Sequence, residues 1–253
     1  MFANSRIDSS SKAVLAKLVS FVSERRLEPG DRLPSERELA ERFGVGRNAI
    51  REAIATLASL RVLEARPQSG IYFRGLGDQS SFEALVLLSS LGLGPTESEV
   101  AQTMEVRASL ERTAIELACA RRDDDDLADL QRILDETKKV LDSGGNIVDQ
   151  DQAFHHALVS AGHNEILLRI LNTFYELTLP RRRLYFADPE RGRASHEQHK
   201  QIVDAIRARA TKKGITLMHS HMETAKSYWH HEFAEKRSNR PAQKDRRNGK
   251  EDS

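Results

Sequence analysis

The sequence predicts a mainly α protein, an N-terminal winged helix-turn-helix followed by an all-α helical bundle. Three observations carry that expectation. Residues 31–51, DRLPSERELAERFGVGRNAIR, read as two short helices joined by a tight Gly-containing turn. Residues 62–74, VLEARPQSGIYFR, switch to strand periodicity around a polar turn and read as a β-hairpin. Beyond residue 81 strand signals all but vanish, and apolar residues recur at helical spacing between short connections.

The elements follow in order. A first helix is expected from about Ser11 to Arg26, burying Val14, Leu15, Leu18, Val19 and Val22, with the EPGD turn of 28–31 after it. Pro34 suits the first position of the second helix, and Ser35, Glu36 and Glu38 suit its first turn, where exposed N–H groups favour oxygens and negative charge. Leu39, Ala40 and Phe43 form its apolar stripe, and Gly44 stops it. The third helix starts near Arg47 and buries Ile50, Ala53, Ile54, Leu57 and Leu60. The hairpin directly behind it reads as a wing with Gly70 near its tip. Further helices are expected at about 82–92, 96–121, 124–142, 147–162, 164–186, 190–209 and 212–235. The domain plan is then a loose arm (1–10), the winged helix (11–74), a linker (75–81), the helical domain (82–235) and a disordered basic tail (236–253), which lacks apolar residues to bury.

With 253 residues there is room for two ordinary domains. The net charge of +1 hides an uneven division: +4 over residues 1–75, −7 over 76–235 and +4 over the tail. A basic head on an acidic body suggests that the head alone meets nucleic acid. Arg47, Asn48 and Arg51 open the third helix and suit phosphates and base edges in a major groove, although Asn48 also suits a helix cap. The lone Cys119 cannot form an internal disulfide, no secretory signal opens the chain and no apolar run spans a bilayer, so a cytoplasmic protein with no membrane contact is expected.

Polar residues on apolar faces point to a second site. All nine histidines lie in the second half of the chain. Asp151 and His155, four apart, share a face with Leu158 and Val159. His199 falls on the stripe of Ile202, Val203 and Ile206, and His221 on that of Met218, Met222 and Ala225. Inward polar groups need partners, and one carboxylate with three imidazoles suits a divalent ion such as Zn²⁺ or Ni²⁺. His196 and His219 are expected on the inner sides of the same helices as supports. Arg107 falls on the stripe of Val100, Met104, Leu110, Ala114 and Leu117, where a guanidinium demands an anion. Glu111 is the local candidate and an organic acid the functional one. Asp123–Asp126 reads as a helix N-terminal charge run, and Arg181–Arg183 have no side assigned.

The chain resembles GntR-type transcription regulators of the subgroup with a FadR/FCD-like helical effector domain. The first part is similar over about residues 11–74, through PGDRLPSERELAERFGV, Arg47 and AIREAIATLASLRVLE. The second is similar over about 80–235, through EVRASLE, DQAFHHAL, GHNEILLRI and HKQIVDAI. The resemblance implies DNA contacts at Arg37 of the LPSER motif, at Arg47, Asn48 and Arg51, and at the wing residues Ser69 and Gly70. It implies a metal site at Asp151, His155, His199 and His221, with effector contact expected at Arg107. It further implies a homodimer on double-stranded operator DNA, responding to a small organic-acid or sugar-acid effector, most simply as a repressor. The alternative is a metal-dependent enzyme domain fused to a DNA-binding head, but no H-E-x-x-H motif, nucleophile elbow or Gly-rich phosphate loop supports it, so no enzyme activity is expected.

Overall fold

A computed structural model describes residues 9–75, 80–92 and 95–238. Most of the expected arm, linker and tail, including Gly77, lies outside the described residues. The elements run α1 (Ser9–Glu24), α2 (Glu36–Phe43), α3 (Arg47–Ser59), β1 (Leu63–Arg66), β2 (Gly70–Phe73), α4 (Phe82–Ser90), α5 (Glu97–Arg121), α6 (Asp124–Asp142), α7 (Val148–Ser160), α8 (Glu165–Tyr185), α9 (Pro189–Arg207) and α10 (Thr211–Ser238). The fold is thus mostly helical, with one two-stranded antiparallel wing.

Two compact units emerge: Met1–Pro95 with Asn172–Arg181, and Thr96–Leu171 with Arg182–Ser253. In the first, α1, α2, α3 and the wing close over Leu15, Leu18, Leu39, Ile50, Leu57 and Leu63, and Ala84 and Leu87 of α4 join the same core. The middle of α8 meets α4 through the Phe82 and Phe174 rings, 4.7 Å apart, and through Ser89 Oγ, which donates to the Leu177 carbonyl at 3.0 Å. The wing register pairs Leu63 with Phe73 and Arg66 with Gly70.

Helix α2 starts two residues later than Pro34 suggests. Ser35 is its N-cap: the hydroxyl accepts from the Glu38 N–H, and the Glu38 carboxylate accepts from the Ser35 N–H. This capping box satisfies two donors that a start at Pro34 would strand. Gly44, at φ 65°, ends the helix in the left-handed region that glycine enters without penalty.

The second unit packs α5, α6, α7, α9 and α10 together. Capping boxes start α5 (Thr96 with Glu99) and α6 (Asp123 with Asp126), which is where the acidic run belongs. Helix α5 buries Val100, Met104, Arg107, Glu111, Ala114, Ile115 and Ala118. Leu110 and Leu117 are only partly buried, because spacings of four and three carry the stripe through Glu111 instead.

Candidate metal centre and nucleic-acid interface

The residues of the DNA-binding expectation lie on α2, α3 and the wing, exposed on the helices and half-buried at Ser69 and Gly70. Gly46 is the N-cap of α3 and provides no side-chain cap, so Asn48 is not capping the helix. Arg47, Asn48 and Arg51 are exposed on its first turn and a half, at the end where peptide N–H groups and the helix dipole favour anions. Arg51 donates through Nε and Nη2 to Glu36 Oε2 at 3.3 and 3.2 Å, which ties α3 to the start of α2. Arg37, exposed on α2, stands 4.0 Å from Glu41. Pairs this exposed contribute roughly 0–1 kcal/mol, so little opposes their exchange for a phosphate. On the wing, the Ser69 hydroxyl is engaged with the Tyr72 hydroxyl at 2.6 Å, and Gly70 has φ 124°.

The second candidate site is enclosed by α5, α7, α9 and α10. Asp151 and His155 come from α7, His199 from α9 and His221 from α10. All four are buried, and one ligand atom from each lies within 4.8 Å of every other. Asp151 Oδ1 is 3.8 Å from His155 Nε2 and 3.7 Å from His199 Nε2, and the His199 and His221 Nε2 atoms are 3.4 Å apart. Two ligands of one ion, each at about 2.0–2.2 Å, stand roughly 3.0–3.6 Å apart, so these spacings are close to those of a shared cation.

The surroundings decide which ring nitrogens face inward. His155 Nδ1 lies 2.9 Å from Glu111 Oε1, and a carboxylate only accepts, so that nitrogen carries the proton. His221 Nδ1 lies 2.8 Å from Gln198 Oε1, while the Gln198 amide nitrogen donates to Thr224 Oγ1 at 3.4 Å. Both arrangements turn an Nε2 lone pair toward Asp151. His199 is held by Phe154, whose ring stacks on it at 3.7 Å and 10°, and by Ser195 Oγ at 3.4 Å from its Nε2. Arg182 donates through Nη1 to Asp151 Oδ2 and the Val148 carbonyl, and through Nη2 to Gln152 Oε1, leaving Oδ1 toward the imidazoles. Arg107 donates through Nε and Nη2 to Glu111 Oε1, both at 3.2 Å.

Electrostatics agree with a cation's demands. Burial pushes the Asp151 carboxyl up, but the charges of His155, Arg182 and Arg107 outweigh it and hold the carboxyl below its ordinary range. Burial, then the neighbouring His221 and His155, push His199 well below the usual imidazole value. Burial likewise lowers His221 to about 3. At neutral pH the Asp151 carboxylate therefore faces neutral imidazoles at His199 and His221, whose lone pairs converge. A divalent ion resolves that repulsion, so the donor set fits the group.

The site differs from the sequence expectation in its supports. His219 faces solvent, and His196 turns away to line a cleft of about 460 Å³ between α6 and α9. The supporting roles fall to Glu111, Gln198 and Arg182. Arg181 is buried and Arg183 exposed, which leaves Arg182 as the member of that run at the cluster.

Comparison with known proteins matches residues 10–73 to the family described as bacterial regulatory proteins, gntR family, and residues 102–224 to the FCD domain. The HTH-type transcriptional regulator LutR of Bacillus subtilis is 31% identical over 204 residues, covering 78% of this chain and 90% of that protein. A putative L-lactate dehydrogenase operon regulatory protein of Escherichia coli is 29% identical over 218 residues, covering 84% and 83%. Among solved structures, one titled for Lar, which controls expression of the Listeria monocytogenes agr system, covers 89% of this chain and 99% of its own, with a TM-score of 0.64 at 19% identity. That likeness speaks to the fold.

Proposed function

Because this chain belongs to the GntR family of bacterial transcription regulators and its second part is an FCD domain, we propose that it is a metal-loaded, carboxylate-responsive repressor that binds operator DNA as a homodimer. The helix-turn-helix binds DNA and the FCD domain receives the effector. Among the described residues no helix is long and apolar enough to cross a membrane, in keeping with a protein that works on DNA in the cytoplasm. The relatives are named as regulators, not enzymes.

One observation carries the metal reading: the convergence of Asp151, His155, His199 and His221 within 4.8 Å in the interior. A bound Zn²⁺ or Ni²⁺ supplies a hard positive centre for an oxygen anion. The chain's own charges already pair off, Arg182 with Asp151 and Arg107 with Glu111. A buried divalent charge therefore calls for an anion from outside. A small organic or sugar acid meets that need, with Arg107 as its proposed contact, and the name of the Escherichia coli relative fits a small hydroxy acid.

On the DNA side, Arg37, Arg47, Asn48 and Arg51 are the proposed contacts of α2 and α3, with Ser69 and Gly70 on the wing. One winged helix covers one half-site, so a two-fold dimer on a near-palindrome is the economical assembly. Elemental analysis of purified protein is expected to find about one divalent ion per chain, and His199→Ala to lose it. A thermal-shift screen of organic and sugar acids should then stabilise the metal-loaded protein and not the stripped one. Absence of metal after reconstitution sinks the reading.

A further inference from the structure

Arg32 takes no part in the sites above, and its setting is unusual. It lies between α1 and α2, where the backbone runs beside β2. The Gly30 and Leu33 N–H groups donate to the Phe73 and Ile71 carbonyls at 2.7 and 2.8 Å, the Phe73 N–H donates to the Asp31 carbonyl at 2.8 Å, and Arg32 bridges Tyr72. The wing thereby gains a short third ribbon. Its register lays the Arg32 side chain across the end of the hairpin turn. A methyl group built on Gly70 would stand 2.7 Å from Arg32 Nε, 3.2 Å from Nη2 and 3.3 Å from Cζ. Glycine is required there by φ 124°, and a side chain would in addition displace the guanidinium that lies over it.

Arg32 is exposed, and among the described residues it forms no ion pair. Its wing neighbour Arg66 is different, paired with Glu64 at 3.1 Å and stacked on Tyr72 at 4.2 Å. The nearby acid Glu38 is held by the Ser35 hydroxyl and N–H. The first turn of α2 follows Arg32 closely in the chain and meets Arg51 of α3 through Glu36. An unpaired cation thus stands over the Gly70 end of the wing, just ahead of the helix that carries Arg37. A guanidinium pressed on bare backbone has already lost much of its freedom, so ordering it at a phosphate costs little more.

We propose that Arg32 is a DNA-backbone contact carried by the wing, and that a side chain at position 70, besides straining the backbone, would evict the Arg32 guanidinium. Phosphate is favoured over a base edge because Arg32 springs from a ribbon flanking the wing, with no helix to insert it in a groove. The inference rests on the operator-binding reading.

The test uses the full-length protein, a duplex selected from a random library by the parent, and a mixed-sequence duplex of equal length, with binding followed by anisotropy across a salt series. Arg32→Ala is expected to weaken both duplexes about tenfold and to lower the slope of log K against log salt by about 0.9 per chain. Arg32→Lys keeps most of that slope. Arg32→Gln, which keeps the stem and drops the charge, gives the same reading if Arg32→Ala unfolds. Gly70→Ala weakens the parent more than it weakens Arg32→Ala, the backbone strain at φ 124° being common to both backgrounds. Unchanged affinity and slope in folded Arg32→Ala or Arg32→Gln overturns the proposal, as does a loss confined to the selected duplex. Equal harm from Gly70→Ala in both backgrounds overturns its second half. Arg51→Ala separates the two readings: if it binds as the parent does, operator recognition by this face fails, and if it alone weakens binding, only the role of Arg32 fails.

Discussion

Glu111 Oε1 lies 2.9 Å from His155 Nδ1, across the gap between α5 and α7, with both side chains fully buried. The same oxygen accepts from Arg107 at 3.2 Å. This is a relay of charge running inward to the cluster. Arg107 and His155 Nδ1 both lie against Glu111 Oε1, and His155 Nε2 is thereby turned to Asp151. A carboxylate behind a ligand histidine fixes its tautomer and raises its basicity.

Glu111→Gln should therefore weaken metal binding about 10–100-fold while leaving every ligand in place. The amide oxygen can still accept from His155, so the fold should survive. Competition against a chelator of known affinity reads the change. An unaltered affinity would mean that His155 is oriented by its packing alone.

The buried imidazoles make stability depend on pH. His199 and His221 are held below the ordinary value of 6.5, His221 at about 3. The unfolded chain then binds more protons than the folded one below pH 6.5, so folding stability falls as pH falls. Their contribution is complete above 6.5 and is lost progressively toward 3. Asp151 has the same sign, its share being lost below the ordinary 3.8. Metal-stripped protein should unfold at steadily lower temperature between pH 7 and pH 4.5, and metal should be released over the same descent because protons compete for the ligands. A flat thermal profile across that range would show these groups to be unperturbed.

The convergence of Asp151, His155, His199 and His221 was legible because each sits on a narrow apolar stripe, where helical spacing alone assigns a side. Asp151 and His155 share one face of α7, and His199 follows Ile202 and Ile206 on α9. The supports were not legible for the opposite reason. Helix α8 buries the adjacent Arg181 and Arg182 together, beside Leu177 and Thr178, so periodicity cannot say which arginine meets Asp151. Helix α9 buries two sides, and His196 and His199, three residues apart, fall on different ones. Gln198 looks like any exposed amide until α10 brings His221 beside it. The wing was clear from its period, whereas the ribbon of residues 30–33 depends on long-range pairing with β2 that carries no local signal.

DNA binding gives a third expectation. Arg51 is exposed and paired only with the half-buried Glu36, so releasing it costs little, and Arg47 opens the same helix. An Arg47→Ala, Arg51→Ala double variant should lose operator binding by 100-fold or more if each arginine contributes about 1–3 kcal/mol. Circular dichroism and metal content should stay at parent values, since neither residue touches a core. Retained binding would end the helix-turn-helix assignment of these contacts.

The last expectation concerns Arg107, which has two calls on its charge. In the structure it is spent on Glu111, and removal of one member of a buried pair typically costs about 3–5 kcal/mol. Arg107→Ala should thus lower the melting temperature by many degrees, which alone proves nothing about an effector. The double variant Arg107→Ala, Glu111→Ala removes both charges and should regain part of the loss, giving a protein that still folds and binds DNA. If Arg107 receives the effector's carboxylate, that variant should need at least ten times more acid than the parent to leave its operator, a difference of about 1.4 kcal/mol. Glu111→Ala alone, with Arg107 kept, should respond more nearly as the parent does. Equal effector sensitivity in the two variants would make Arg107 solely the partner of Glu111, and the anion would then have to be held by the metal-site residues without it.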